Sequence, residues 1–305
     1  MIRKAFMLGA GLGTRLRPLT HHLPKPLVPL FHKPLVEWGM EACAAAGVTE
    51  FAINTHHLPE RWRMVGGGWR IGEETGLVGE NGLASTVGRW KGLPVSLFHE
   101  PELLETGGGI RNIARWVGDD DVLVHNGDIF ASLPLPELVA AHRASGNVVT
   151  LALRSEGVAR HIAVEGQRVV DIRGKLGRAE GTHVFSGIYC FSPELLGRIP
   201  SGEKVSVIPA FLELAAEGRL GGVVLDRGEW FDLGDEASYL EAHRVLRLAE
   251  PVHPEAMVSP GALVERSVIG PRSTIAGGAV VRDSVLWPGA GVGPGEVVEG
   301  RVVTG

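Results

Sequence analysis

Short apolar runs of strand length alternate along the first 250 residues with stretches whose apolar positions recur at helical spacing. Residues 5–8 form the first such run and break at Gly9. Residues 34–47 follow the helical period, with Leu35, Trp38, Met40 and the run 43–46 as apolar positions and Gly47 as the stop. A second strand at 51–54 completes a β-α-β unit, which implies a parallel sheet. Further strands are predicted at 95–99, 121–125, 148–153 and 184–191, with a hairpin of 161–164 and 168–172 turning at 165–167. Helices are predicted at 110–117, 135–144, 203–218 and 235–248. Residues 62–92 hold three consecutive glycines, several tryptophans and little periodicity, and read as irregular structure around a lid or an oligomer contact.

From Val252 the pattern changes. Aliphatic residues stand at 252, 258 and 264, then 269, 275 and 281, then 286 and 292, so the set recurs every 17 residues. Steps of six, six and five fit one triangular coil of a left-handed β-helix, with the aliphatics inside and three coils in the stretch. The expected fold is an open α/β, Rossmann-like mixed and mostly parallel sheet over residues 1–249, followed by a short β-helix domain at 250–305. So short a stack cannot cap both of its ends, which points to packing on the first domain or a homo-oligomer through the repeat.

The chemistry concentrates where the first strand ends. Leu8, Gly9, Ala10, Gly11 and Gly13 lead into Thr14, Arg15 and Arg17, and Lys25 follows between Pro24 and Pro26. Glycines let backbone N–H groups approach an anion and adopt positive φ, and the cations neutralise it, so the stretch reads as a phosphate cradle. A dinucleotide fingerprint would place a third glycine where Thr14 stands, and would want an acid roughly 20 residues beyond the turn, loosely matched by Glu37. A Walker A loop would end in Gly-Lys-Ser/Thr, which this turn does not. A plain strand-to-helix turn would not gather three cations, which repel one another unless an anion sits among them.

GLGTRLRPLT, PKPLVPL and KPLVEW together resemble the signature of the sugar-1-phosphate nucleotidyltransferases. NTHHLPE, LETGGGI, NGD, FSGIYCFSPEL and GEWFDLGD follow in the family's order, so the resemblance covers about 245 residues. It is nearest to the muramate uridylyl and mannose guanylyl branches. The resemblance implies transfer of a nucleoside monophosphate from a nucleoside triphosphate to a sugar 1-phosphate. By the same resemblance, Arg15 and Lys25 act on phosphates, Leu8 to Thr14 hold the nucleotide, Gly107 and Gly108 meet the base, Asn126, Ser186 and Gly187 approach the sugar, and Asp128 and Asp232 hold Mg²⁺. Glu100, near the base-contacting turn, could accept from guanine N1–H and N2–H₂.

Relatives carry Glu-Lys-Pro after the hairpin of 161–172, where this chain reads Arg173-Gly174-Lys175, so Lys175 is the candidate stand-in for the sugar-phosphate lysine. That departure favours the muramate branch and the repeat tail the guanylyl branch; the LETGGGI and FSGI strings tip the expectation to uridylyl transfer onto N-acetylmuramate 1-phosphate, with mannose-1-phosphate guanylyl transfer as the alternative. A hexapeptide acyltransferase would need more coils and a suitably placed histidine, and the tail has only His253, at its start. A non-catalytic sugar-nucleotide-binding regulatory protein would not need both metal carboxylates.

Composition narrows this picture only slightly. A net charge of −5 gives no reason to expect nucleic acid or an anionic membrane as partner. Two cysteines make no disulfide framework, which suits a reducing cytoplasm. His56 and His57 neighbour each other on a strand end and would point to opposite faces, a poor zinc pair. No apolar run is long enough for a transmembrane helix, and the first strand is too brief for a signal peptide.

Overall fold

The computed structural model describes residues 1–65 and 68–305. Two compact units emerge: residues 1–12 with 38–230, and residues 13–37 with 231–305. This grouping follows contacts, whereas the expected boundary at 249/250 follows chain order.

The first unit is built on an eleven-stranded sheet. Its strands run Ile162–Glu165, Arg168–Ile172, Leu220–Val224, Val149–Arg154, Val184–Phe191, Val122–Asn126, Lys4–Leu8, Glu50–Thr55, Leu93–His99, Ala84–Trp90 and Trp69–Val78. The four strands Val122–Asn126, Lys4–Leu8, Glu50–Thr55 and Leu93–His99 are mutually parallel, and the strands outside them make the sheet mixed. Parallel strands are covered on both faces, which is why Ala5, Phe6, Met7, Val122, Leu123 and Val124 read as unbroken apolar runs and are all fully buried. One core packs Phe6, Phe98, Val124, Tyr189, Phe191 and Phe211 together.

Among the described residues of 62–92, the stretch expected to be irregular is largely regular. Trp69–Val78 and Ala84–Trp90 form an antiparallel hairpin that extends the sheet. Its turn uses Asn81-Gly82, with Gly82 at φ +82°, a dipeptide that is itself a hairpin signal. Trp62, Trp69 and Trp90 are buried, and adjacent rings lie 6.2 and 6.5 Å apart, so the tryptophans are the hairpin's core. Gly66 and Gly67 lie outside the described residues.

Two other expectations fail for one shared reason. The helix expected at 110–117 starts earlier, as Glu105–Asn112 followed by Ala114–Val117, and the helix expected at 203–218 is only Ile208–Ala216. The segment 203–206 instead lies against the triple glycine. Gly107 and Gly108 donate their N–H groups to the Val205 carbonyl at 2.8 and 3.0 Å, and Val205 N–H donates to Leu104 at 3.0 Å.

In the second unit the tail forms three parallel sheets of three short strands, and each strand pairs with the one 17 residues later, as in Met257 with Thr274 and Thr274 with Gly291. Ile269, Ile275, Val281, Leu286 and Val292 point inward as the period requires, while Val252 and Val258 at the first coil are exposed. The β-helix packs on helix Glu236–Val245 and on segment 29–32 within the same unit. Trp287 Nε1 donates to the Tyr239 hydroxyl at 3.0 Å, and that hydroxyl donates to the Pro29 carbonyl. Phe31 N–H donates to His243 Nε2 at 3.0 Å, so the ring's hydrogen sits on Nδ1, 2.9 Å from the Tyr239 carbonyl. Among the described residues no helix is long and apolar enough to cross a membrane.

Burial holds two histidines neutral. His125 in the first unit and His243 in the second are both pushed down to about 4 by desolvation. Each therefore contributes stability that is complete above the unfolded value near 6.5 and is lost as pH falls from there toward 4, on the order of 3 kcal/mol per group. Urea unfolding midpoints should fall between pH 7 and pH 4.5, and His243→Gln should flatten part of that slope. An unchanged slope would remove His243 as a source.

Candidate functional site

The candidate residues fall into two sets, one in each unit. In the second unit, Gly13 turns the chain at φ +60°, and a β-carbon there would lie 2.7 Å from the Thr20 side chain, whose hydroxyl donates to the Gly13 carbonyl at 2.9 Å. This closes the loop into the short turn Thr14–Leu16, which carries Arg15 outward. Arg15 lies against Gly234, where a β-carbon would come within 2.9 Å of the guanidinium nitrogens. Lys25 lies in the turn Lys25–Leu27 and is only 6% exposed. Its Nζ stands 3.9 Å from Asp232 Oδ1, whose side chain is 48% exposed.

Asp235 follows. It caps helix Glu236–Val245 by accepting from Ser238 N–H at 2.9 Å. Its carboxyl is held below the usual range, first by that backbone hydrogen bond and also by the charges of Arg15 and Lys25. The structure thus gathers Arg15, Lys25 and Asp232 within the second unit, but corrects one inference. The cations do not require an outside anion to coexist, because Asp232 and Asp235 supply protein carboxylates beside them. Thr14 and Arg17 are exposed.

In the first unit the candidates sit at the carboxyl ends of the parallel strands, where open α/β sheets bind ligands. Leu8 ends the first strand, Ala10 is buried and Gly11 exposed. Gly9 donates to Asn54 Oδ1 at 2.7 Å, and a β-carbon at Gly9 would lie 2.7 Å from the Asn54 carbonyl, so only glycine fits. Asn54 Nδ2 in turn donates to Glu100 Oε1 at 2.7 Å. Asp128 is half-buried in the turn after Val122–Asn126, whose Gly127 N–H donates to the Leu8 carbonyl at 2.9 Å.

Four of the assigned residues have partners within the protein. Glu100 is 0% exposed, and its second oxygen accepts from Leu104 N–H at 3.0 Å. Burial raises its carboxyl above the usual value, and its two oxygens brace Asn54 and the Leu104 backbone. Gly107 and Gly108 spend their N–H groups on Val205, and β-carbons there would lie 2.8 and 2.5 Å from the carbonyls of Val205 and Glu203. These glycines permit close packing of the segment 203–206. Ser186 is 0% exposed and donates to the Ala152 carbonyl at 2.8 Å, which stitches the irregular pairing of Val149–Arg154 with Val184–Phe191.

Gly187, at φ +81°, makes room for the Asn126 amide, 2.7 Å from where its β-carbon would be. Those two residues are therefore brought together. Lys175 is exposed on a turn organised by Asp171, a residue the sequence did not single out. Burial would raise the Asp171 carboxyl, but the N–H groups of Arg178, Leu176, Ile172 and Lys175 more than offset this and hold it low.

Residues 4–247 match the family model described as nucleotidyl transferase. The chain belongs to the nucleotidyl transferase family. A family relative, the mannose-1-phosphate guanylyltransferase of Mycobacterium tuberculosis, is 31% identical over 280 residues, covering 85% of this chain and 72% of that protein. The UTP–glucose-1-phosphate uridylyltransferase of Synechocystis sp. is 29% identical over 253 residues, covering 79% of this chain. The chain spans only 62% of that second protein's length. The UDP-glucose pyrophosphorylase structure from Acinetobacter baumanii has a TM-score of 0.60 at 18% identity, covering 79% of this chain and 92% of that one, and shares its fold.

Carboxylate oxygens are offered by Asp128 in the first unit and, separately, by Asp232 in the second. Among the described residues no three His, Cys, Asp or Glu side chains gather as a cage. Hard oxygen donors without a protein-only cage suit Mg²⁺, which keeps waters and takes phosphate oxygens.

Sequence reading missed Asn54 and Gly234. The signal for Asn54 was an amide at a strand's carboxyl end, and for Gly234 a glycine between two aspartates. Asn54→Ala would strand the Gly9 N–H and one buried Glu100 oxygen, and should lower stability by about 3 kcal/mol in urea unfolding. Gly234→Ala should displace the Arg15 guanidinium in a crystal structure of the variant while the urea unfolding midpoint holds.

Proposed function

We propose that this chain is a sugar-1-phosphate nucleotidyltransferase. It transfers a nucleoside monophosphate from a nucleoside triphosphate to a sugar 1-phosphate. The observation that carries the reading is the retention, in a chain of this family, of Arg15, buried Lys25 and Asp232 in one cluster. A sugar-phosphate oxygen forms a bond to the α-phosphorus as the bond to the β-phosphate oxygen breaks, and pyrophosphate leaves with that electron pair. No protein nucleophile is required, because positioning and charge neutralisation supply the catalysis.

Arg15, resting on Gly234, binds the β- and γ-phosphates. Lys25 neutralises the phosphates brought together at the reacting centre. Its position between two prolines and its burial fix the ammonium before substrate arrives. Asp128 and Asp232 are the residues that would hold Mg²⁺, which when bound neutralises phosphate charge. Leu8 to Thr14 supply the nucleotide loop, and Asn126 with Gly187 faces the sugar.

For the substrate pair we favour GTP with mannose 1-phosphate. Residues 1–249 make up less than 85% of the 305-residue chain, so the likeness to the Mycobacterium tuberculosis guanylyltransferase runs into the tail. The second reading, UTP with N-acetylmuramate 1-phosphate, is supported by the LETGGGI string and by the missing Glu-Lys-Pro. A regulatory sugar-nucleotide-binding protein would bind nucleotide without releasing pyrophosphate.

A pyrophosphate-release assay with Mg²⁺, each nucleoside triphosphate and a panel of sugar 1-phosphates should identify one pair. In it Lys25→Ala and Asp128→Asn should each lose on the order of 10²-fold or more in turnover. Near-normal turnover in either variant would falsify the residue assignment, and nucleotide binding without release from any pair would favour the regulatory protein.

A further inference from the structure

A cavity of about 310 Å³ lies in the second unit, among the end of helix Glu236–Val245, the linker behind it and the first coil of the β-helix. Three arginines line it, Arg244, Arg247 and Arg266, and no acidic residue does. Arg266 and Arg244 are ion-paired with Asp283 and Glu241, so most of the net positive charge beside the cavity is that of Arg247. His243 also borders the cavity, but its Nε2 already accepts from Phe31 and its ring is neutral, so the charge belongs to the arginines.

The guanidinium groups are held from behind. Arg266 Nε and Nη2 donate to the two oxygens of Asp283 at 2.7 and 2.6 Å, and Arg244 pairs with Glu241. Both acids line a neighbouring cavity of about 240 Å³ instead. Arg247 Nη1 is anchored on the carbonyls of Arg244 and Leu246 at 2.7 and 2.9 Å. A guanidinium carries five N–H donors, so each retains donors after these bonds.

The backbone adds a second observation. Positions 266, 283 and 300 occupy the same corner of successive coils, with φ of +46°, +46° and +60°. Gly300 takes that conformation freely, whereas a long side chain at Arg266 is strained there. The exposed ion pair to Asp283 is a weak reason to keep an arginine in that corner. Val252, Val264 and Val268 also line the cavity and give it apolar surface.

We propose that this cavity binds a small organic phosphate, with the phosphate on Arg247 and Arg266 and an apolar or flat body against the valines. Arginine forks match phosphate oxygens in pairs, and the volume is at the small end for a ligand site. The cavity shares Phe31 and His243 with the strut that holds the segment carrying Lys25, so a bound anion rests against that segment.

Calorimetry of the full chain with phenyl phosphate at low salt tests this. Saturable binding is expected, weakened at least about tenfold in both Arg266→Gly and Arg247→Gln, the loss of one charge-assisted pair. Arg266→Gly should keep or raise the thermal midpoint, since glycine relieves the corner, which separates lost binding from lost fold. Lys25→Ala should bind phenyl phosphate as the wild type does. The proposal is overturned by absence of saturable binding, by phenol binding as tightly, or by binding that disappears in Lys25→Ala and persists in the two arginine variants.

Discussion

A lysine ammonium that is 6% exposed cannot stand alone, because removing a charge from water costs several kcal/mol unless other charges and hydrogen bonds compensate. Lys25 is that group, and its neutralisation organises the second unit. Asp232 and Asp235 lie more than 200 residues away along the chain, yet they supply the local negative charge. Asp235 also caps the helix whose Tyr239 and His243 hold Pro29 and Phe31, so one helix both compensates the lysine and fixes the loop that carries it. Trp287 of the β-helix closes the arrangement from behind through Tyr239.

The first unit meets a different constraint with a similar device. Four parallel strands end together, and the backbone that leaves them turns sharply with its N–H groups in need of partners. Asn54 and Glu100 answer this: the amide takes Gly9 N–H and gives to the carboxylate, which also takes Leu104 N–H. Glu100 is therefore a buried anion satisfied by donors, and Gly9, Gly109 and Asn54 crowd too closely for a β-carbon on either glycine. Rigid support of this kind lets a glycine loop hold one conformation.

Legibility differed by the range of the interaction that decides each feature. The parallel strands were readable because burial on both faces writes itself as an apolar run, as at 122–124. The hairpin at 69–90 was missed although Asn81-Gly82 marked its turn, because its tryptophans serve a core formed only when Trp62, Trp69 and Trp90 meet. The triple glycine was read as open backbone for a ligand. Its partner, the segment at 203–206, is about a hundred residues away and was itself read as helix. Neither error could be corrected without the other, since the Val205 carbonyl is what shortens one helix and takes the N–H groups of the other.

By itself the sequence determined the α/β class, the 17-residue period of the tail, and the family through motifs whose spacing is local. Only the tertiary structure decided which polar groups face inward. Glu100 and Ser186 have the residue types of ligand contacts, but their hydrogen bonds run to Asn54, Leu104 and Ala152. The physical reason is that a polar side chain's role depends on which donors and acceptors remain unsatisfied around it, and those are set by chain segments far away in sequence.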